Sequence, residues 1–155
     1  MAAAYPLPSG LVLAQWAGAD GLAELPLGRP FDLVRVSHGL GRRVVADLLA
    51  GGDATLGPVL WCGPRSRFEF LVPGGTAQNW LPLPGTRCVG KGSVLRCPMA
   101  HSVASPQVSG DNRTWVVPPD GSGQLTDPLV LWAHIEEQRS GARVTDDDRR
   151  VSTVQ

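Results

Sequence analysis

The thiols and imidazoles are the residues in this sequence with the most chemistry to offer. Cysteine and histidine together can hold zinc, and a cysteine beside a histidine can act as a nucleophile. Cys88 and Cys97 are separated by eight residues, and no pair of cysteines has the short spacing of a zinc site, so the sequence predicts no metal site. It predicts reduced, buried thiols instead. A nucleophilic cysteine remains an alternative that depends on pairing in space. The residues concerned are Cys62, Cys88, Cys97, His38, His101 and His134.

A second group of residues is basic. Arg35 and His38 fall where a predicted strand meets a predicted helix, a place where ligands often bind. Together with Arg42 and Arg67 they form a candidate ligand-binding patch that could hold a phosphate group through charge-assisted hydrogen bonds. The alternative is that all four are ordinary solvated side chains. No catalytic residue and no cofactor are predicted.

Five tryptophans are many for 155 residues, and aromatic side chains can stack on the bases of single-stranded nucleic acid. Trp61, Trp115 and Trp132 lie in apolar runs and are predicted to be in the core. Trp16 and Trp80 have polar neighbours, which favours a surface position and contact with a partner. His134, beside Trp132, is predicted to be a partly buried packing residue.

The elements that must position these residues follow from periodicity and turn signals. Residues 31–36 alternate apolar and polar side chains, which predicts a strand. Ser37 is a plausible N-cap, and the apolar spacing from Leu40 to Leu49 predicts an amphipathic helix, with Arg43 and Asp47 as a surface ion pair on its outer side. The remaining predicted elements are a hairpin of strands 57–62 and 67–73, a short helix over 77–83, two strands within 86–97, a loop over 99–110 and a strand over 114–117.

The clearest helix start lies near the end of the sequence. Asp127 as N-cap and Pro128 at the first helical position predict a helix of about three turns that ends at Gly141. Residues 1–140 are predicted to form one domain, and the charged segment 141–155 is predicted to be a disordered tail. The order of elements predicts an α+β fold, with a mixed or antiparallel sheet of about five to six strands and helices packed on one face.

Composition restricts the function classes. The 14 basic and 14 acidic residues give zero net charge, which disfavours a nucleic-acid binder that relies on a basic field over the whole surface. The sequence has no secretion signal and no apolar stretch of the roughly 20 residues that span a bilayer, so we expect a cytoplasmic protein without membrane contact. Lys91 is the single lysine, and this excess of arginine is typical of a bacterial genome rich in G and C.

Three segments carry a family resemblance. Phe31-Asp-Leu-Val-Arg-Val36, Leu56-Gly-Pro-Val59 and Phe68-Glu-Phe-Leu-Val-Pro-Gly74, in this order, resemble the prim-pol-like N-terminal domains of bifunctional DNA primase/polymerases. The glycine-rich segment that leads to Pro98 is similar to a later turn and strand of that family. The resemblance covers roughly residues 28–138. It implies an α+β fold and phosphodiester synthesis, in which closely spaced carboxylates hold divalent metal ions.

The acidic residues that this family uses are missing from the sequence. The resemblance implies an acidic pair near the end of the first strand, but the aligned positions are Arg35 and Ser37. The family's phosphate-contacting histidine aligns with Arg67, and the third acidic position falls within 87–90, where there is no carboxylate. The resemblance therefore implies a degenerate domain that has lost its catalytic residues.

Three functional hypotheses follow. The first is a non-catalytic prim-pol-like module in a bacterium whose partner is a nucleotide, single-stranded nucleic acid or a protein. The second is an active DNA primase/polymerase with an atypical metal site made from Asp32 and Glu69, although Asp32 alone is better explained as a hydrogen-bonded strand residue. The third is an unrelated small-molecule enzyme that uses a cysteine or a histidine in a deep apolar pocket.

Overall fold

The computed structural model describes residues 21–52, 56–98 and 113–152, with side chains as far as Gly141. This part of the chain contains seven strands and three α-helices. The strands are β1 (Ala23–Pro26), β2 (Phe31–Ser37), β3 (Val59–Cys62), β4 (Arg67–Pro73), β5 (Thr86–Val89), β6 (Val94–Cys97) and β7 (Arg113–Val117), and the helices are α1 (His38–Ala50), α2 (Thr76–Asn79) and α3 (Pro128–Ser152).

The strands form two antiparallel sheets. Five strands pair in the order β5-β2-β4-β3-β7, and β1 pairs with β6 in a separate two-stranded sheet. The predicted α+β class, with a sheet and packed helices, is confirmed. The two predicted strands within 86–97 are also present, but they belong to different sheets. The turn after β5, in which the Ser93 N–H donates to the Gly90 carbonyl, carries the chain from one sheet to the other.

The five-stranded sheet is covered on both faces, so the fold has three layers. On one face, here called the inner face, Leu33 packs in a cluster with Leu95 of the two-stranded sheet. On the other, the helical face, Phe70 packs with Leu48 of α1 and Leu131 of α3. All five of these side chains are buried, and burial of apolar surface on this scale is the main favourable contribution to folding.

Helix α1 lies close to the sheet because a glycine faces it. The predicted amphipathic pattern is confirmed for Leu40, Val44, Val45 and Leu48, which are buried, but Leu49, which the pattern also placed on the apolar face, is exposed. A Cβ added at Gly41 would lie 2.6 Å from Cδ2 of Phe68, which shows how near the helix backbone comes to β4. Ser37 precedes the helix as predicted, but its hydroxyl makes no capping hydrogen bond. The backbone N–H of Ser37 donates to the Gly85 carbonyl.

The start of α3 is fixed by two neighbouring polar residues. The carboxylate of Asp127 accepts hydrogen bonds from the N–H groups of Leu129 and Val130, so the predicted N-cap is confirmed. The hydroxyl of buried Thr126 accepts from the Gly57 N–H at 2.9 Å, and its own N–H donates to the Leu71 carbonyl at 2.9 Å. These bonds attach the helix start to β4 and to the segment that leads into β3.

Helix α3 is longer than predicted. It runs for 25 residues to Ser152, so the predicted end at Gly141 is wrong. The disordered tail expected over 141–155 remains a prediction. One glycine inside a helix costs only about 1 kcal/mol, and no proline follows it, so nothing in the sequence stops the helix there. The predicted loop over 99–110 lies outside the described residues. The single-domain boundary remains a prediction. No helix in the described ranges is both long and apolar enough to cross a membrane.

We expect the substitution Gly41→Ala to destabilise the protein. Alanine would gain up to about 1 kcal/mol of helix propensity, but overpacking against a buried ring costs about 1–3 kcal/mol, so the net change in unfolding free energy is a loss. Gly39→Ala is the control, because an added Cβ there meets its nearest neighbour at 3.9 Å. Urea denaturation would contradict this account of α1 if Gly41→Ala proved as stable as Gly39→Ala.

Candidate arginine-lined anion site

The register of the two central strands decides which charged residues meet. Arg35 on β2 lies opposite Glu69 on β4, whereas Asp32 lies opposite Val72. Residues directly opposite share a face of the sheet, and residues an odd number apart on one strand lie on opposite faces. Arg35 and Glu69 are therefore on the inner face and Asp32 is on the helical face. The predicted metal pair of Asp32 and Glu69 does not form.

A cavity of about 320 Å³ opens at the end of the inner face where β2 runs into α1. Its wall contains four arginines and no carboxylate from the described residues. Ser37, Ser66 and Thr86 also line it. We call it the arginine cavity, after Arg35, Arg65, Arg67 and Arg87.

One buried carboxylate faces this group of cations. Glu69 is 3% exposed, and its two oxygens lie 3.9 Å from Nε of Arg35 and 3.5 Å from Nε of Arg67. Both Nε atoms are buried, and neither has a hydrogen-bond partner within the described part of the chain. A single negative charge thus faces two of the four cavity arginines, and their Nε donors have no hydrogen-bond partner in the described part of the chain.

The pKa of Arg35 reflects the excess of positive charge around the cavity. Burial is the largest cause that holds the pKa of Arg35 below its usual value, and it is opposed by the negative charge of Glu69. The like charges of Arg67 and Arg87 lower this pKa further. An anion in the cavity would relieve this repulsion, since it would bring a second negative charge to the same groups.

Two local structures place the arginines. The turn between β3 and β4 is a short 3₁₀ segment, Gly63–Arg65, followed by Ser66 with φ +52°, which brings Arg65 beside Arg67 at the cavity. The left-handed conformation is uncommon for a residue other than glycine, and it closes the turn with a bond from the Ser66 N–H to the Gly63 carbonyl. Arg87 arrives by a longer route, because it lies opposite Arg35 in the pairing of β5 with β2.

The structure brings two of the four predicted patch residues together. Arg35 and Arg67 line the arginine cavity, whereas Arg42 is exposed on α1 and does not. His38 is exposed, and its ring lies against Trp61 on the helical face, with 5.0 Å between ring centroids. Sequence reasoning did not include Arg65 or Arg87. The position of Arg65 in the predicted turn was a usable signal, but that of Arg87 depends on which strand β5 joins.

Asp32 has a structural role that the sequence predicted. It is 1% exposed, and its Oδ2 accepts a hydrogen bond from the Ala77 N–H at 2.9 Å, at the start of α2. The carboxylate lies over Gly90, where an added Cβ would come within 2.8 Å of Oδ1. The prediction of a hydrogen-bonded strand residue is confirmed.

The cysteines are free thiols, as predicted, but only Cys62 and Cys97 are buried and Cys88 is half-buried. Cys97 is buried in the inner-face cluster and Cys88 packs against the helical-face cluster, so they do not meet, and His101 lies outside the described residues. Burial, with a smaller contribution from the charge of Asp32, raises the pKa of Cys88 to about 12. Burial and then the charge of Glu69 raise the pKa of Cys97 to about 12. Thiols held in this neutral form are poor nucleophiles.

The tryptophan predictions are partly confirmed. Trp61 and Trp115 are buried, as expected for core residues. Trp132 was predicted to be in the core but is only half-buried, and its indole N–H donates to the Leu81 carbonyl. Trp80 was expected at the surface and is also half-buried, against the helical-face cluster. Trp16 lies outside the described residues.

Two larger cavities lie elsewhere on the surface. One, of about 540 Å³, is lined by Asp32 and Lys91 among others, and a groove of about 620 Å³ runs between α2 and α3 past Trp80 and Trp132. Neither they nor the arginine cavity has a cysteine or histidine of the described chain in its wall. These three cavities therefore offer no support for an enzyme built on such a residue.

Comparison with known proteins adds no relative. No protein-family model, no curated protein and no solved structure matches this chain. The resemblance to prim-pol-like domains therefore stays a prediction that rests on the three sequence segments.

We expect Glu69→Gln to lower the unfolding free energy by about 1–3 kcal/mol. The loss is smaller than the roughly 3–5 kcal/mol of a fully buried pair, because Arg35 and Arg67 keep some access to water. Added salt should restore part of the stability, since it screens the repulsion among the arginines. The control is Glu24→Gln, which breaks the exposed Glu24–Arg96 pair and should change stability by less than about 1 kcal/mol. Equal effects of the two substitutions in chemical denaturation would disprove the role assigned to Glu69.

The raised thiol pKa values predict a loss of stability in alkali. The folded protein holds the Cys88 and Cys97 protons up to about pH 12, while thiols in the unfolded chain ionise near the ordinary value of 9.0. The unfolded chain therefore binds fewer protons in this interval, and the unfolding free energy falls as pH rises from about 9. Denaturation under reducing conditions should show this slope, and Cys88→Ala and Cys97→Ala should each reduce it. A slope unchanged in both variants would assign the effect to other groups.

Proposed function

We propose that the protein is a binding module whose arginine cavity takes a phosphate group of a nucleotide or of single-stranded nucleic acid. The observation that carries the proposal is the concentration of four guanidinium groups around one cavity with a single buried carboxylate beneath them. Guanidinium groups bind phosphate through paired, charge-assisted hydrogen bonds. Glu69 balances the charge of Arg35 and Arg67 only in part, because one carboxylate lies against both guanidinium groups.

The size of the site favours a phosphate over a whole nucleotide. A cavity of about 320 Å³ lies at the lower limit of small-molecule sites, so the sugar and base of a ligand would extend beyond it. Arg113, opposite Cys62 in the strand pairing, continues the basic row along the same face. A chain of phosphates could follow this row. The local excess of charge also reconciles anion binding with a net charge of zero.

The other hypotheses have less support. An active polymerase would need a carboxylate pair, and Asp32 and Glu69 lie on opposite faces of the sheet. For a protein partner, the feature to test is the groove between α2 and α3, where Leu81 and Leu129 are exposed. A cytoplasmic location fits the three free cysteines, because thiols stay reduced in that compartment.

The test measures the binding of pyrophosphate and ADP by thermal shift, and the binding of a labelled oligothymidine by fluorescence anisotropy. The double variant Arg65→Ala/Arg87→Ala removes two exposed cavity arginines and leaves the buried pair to Glu69 in place. We expect it to weaken binding by about 10-fold or more. The dependence of oligonucleotide affinity on salt should also become shallower, by about 0.7 in logarithmic slope for each phosphate that the variant no longer neutralises.

Arg96→Ala is the matched control. Arg96 is an exposed strand arginine in the two-stranded sheet, and it does not line the arginine cavity. It should bind all three probes like the wild type. Wild-type protein that binds none of them, or a loss in Arg96→Ala equal to that of the double variant, would overturn the proposed function.

A further inference from the structure

A separate polar cluster joins the two long helices on the helical face. Asp47 lies on α1, and His134 and Glu137 lie one turn apart on α3. Nδ1 of His134 is 2.6 Å from Oδ2 of Asp47. One potential ligand atom from each of the three residues lies within 4.8 Å of the other two. Three donors from two elements therefore converge on one point at the rim of the helix interface.

We propose that Asp47, His134 and Glu137 bind a divalent cation of the zinc type, which links α1 to α3. An imidazole nitrogen and two carboxylate oxygens are ligands that zinc accepts, and three protein ligands leave a fourth position for water. This site shares no residue with the arginine cavity and does not depend on the proposed function.

The geometry needs only small side-chain movements to accept the ion. Bonds of about 2.0–2.2 Å to zinc place the ligand atoms of a tetrahedral site roughly 3.2–3.6 Å apart. Asp47 and His134 are closer than this because a proton lies between them, and Glu137 is exposed and free to turn inward. On binding, zinc would take the place of the proton between Nδ1 and Oδ2; a neutral imidazole would then carry its one proton on Nε2, whereas an imidazolium would release the Nδ1 proton to water. The side chains of His134 and Asp47 are 26% and 38% exposed, so the ion has a path from solvent.

The charge balance of the cluster favours a cation. The ion pair predicted between Arg43 and Asp47 is not formed; Asp47 pairs with His134 instead. The neighbouring cation on α3, Arg139, pairs with Glu136 at 2.7 Å. Among the described side chains, Glu137 thus has no basic partner, and two carboxylates share one histidine. A divalent ion would compensate both.

The position of the cluster gives the ion a structural effect. His134 precedes Ile135, and Asp47 precedes Leu48, and these two apolar residues are buried in the same helical-face cluster. A cation at the rim would therefore restrain the packing that holds α3 on α1. Because the ion binds the folded arrangement and the ligands are dispersed in the unfolded chain, binding should stabilise the protein.

The experiment is thermal unfolding of the whole chain in a titration with zinc chloride. At a zinc concentration about 100 times the Kd, we expect Tm to rise by about 5–10 °C. Glu137→Gln, an exposed substitution that leaves the His134–Asp47 pair intact, should weaken zinc affinity at least about 10-fold, and His134→Ala should abolish the effect. The matched control is Glu136→Gln, one residue away, which should respond like the wild type.

The absorption spectrum of bound cobalt(II) distinguishes metal binding at this cluster from metal binding at the thiols. Cobalt(II) bound by nitrogen and oxygen ligands should give visible bands without the near-ultraviolet charge-transfer band of a cobalt thiolate. The inference is overturned if zinc leaves the Tm of the wild type unchanged, since the cluster is then a proton-bridged pair only. It is also overturned if Glu137→Gln and the wild type respond alike, or if the thiolate band appears in the cobalt spectrum.

Discussion

The two central strands, β2 and β4, are covered by side chains on both faces, so the odd or even position of a residue decides which layer it enters. A slip of one residue in their pairing would move every apolar side chain to the wrong layer, and this strongly disfavours other registers. The same constraint places the charged residues. Arg35 and Glu69 must share the inner face, and Asp32 must lie on the helical face, whatever ligand the protein binds.

The arginine cavity forms where apolar burial on the inner face comes to an end. Along β2 the inward residues change from buried Leu33 to half-buried Arg35 and then to exposed Ser37. Along β4, Leu71 is followed on the same face by Glu69 and then by half-buried Arg67. Cations at this boundary are partly desolvated, which strengthens their interaction with an anion. Glu69 supplies one negative charge, which Arg35 and Arg67 share. Such a boundary can concentrate positive charge without making the whole protein basic.

Much of the fold could be predicted because its signals are local. The alternation of 31–36, the N-cap Asp127 and the turn between β3 and β4 each lie within a few residues, and the strand, the helix start and the turn formed as expected. The two-stranded sheet could not be predicted in this way. Its strands have only four residues each, and they pair residues as distant in sequence as Ala23 and Cys97. No local signal in the sequence indicates that β5 and β6 belong to different sheets.

The sites depend on long-range pairing to an even greater degree. Arg65 and Arg67 share one turn, but Arg87 reaches them only through the pairing of β5 with β2. Asp47 and His134 are 87 residues apart in sequence, and only the packing of α3 on α1 brings them into contact. For His38, the local position was predicted correctly but the surroundings of its ring were not. Its position at a strand-helix junction is real, but its ring packs on the aromatic residues of the helical face.

The order of strands also has a consequence for the behaviour of the protein in a crowded solution. Within the described chain, β5 and β7 form the two lateral edges of the five-stranded sheet, and an open edge invites pairing with another molecule. Each edge strand carries an arginine, Arg87 or Arg113, and a bulge interrupts the pairing of β7 with β3. Charge and bulges are common protections against such growth. Loss of the basic residues along this row would therefore expose the sheet to self-association as well as remove positive charge from the cavity.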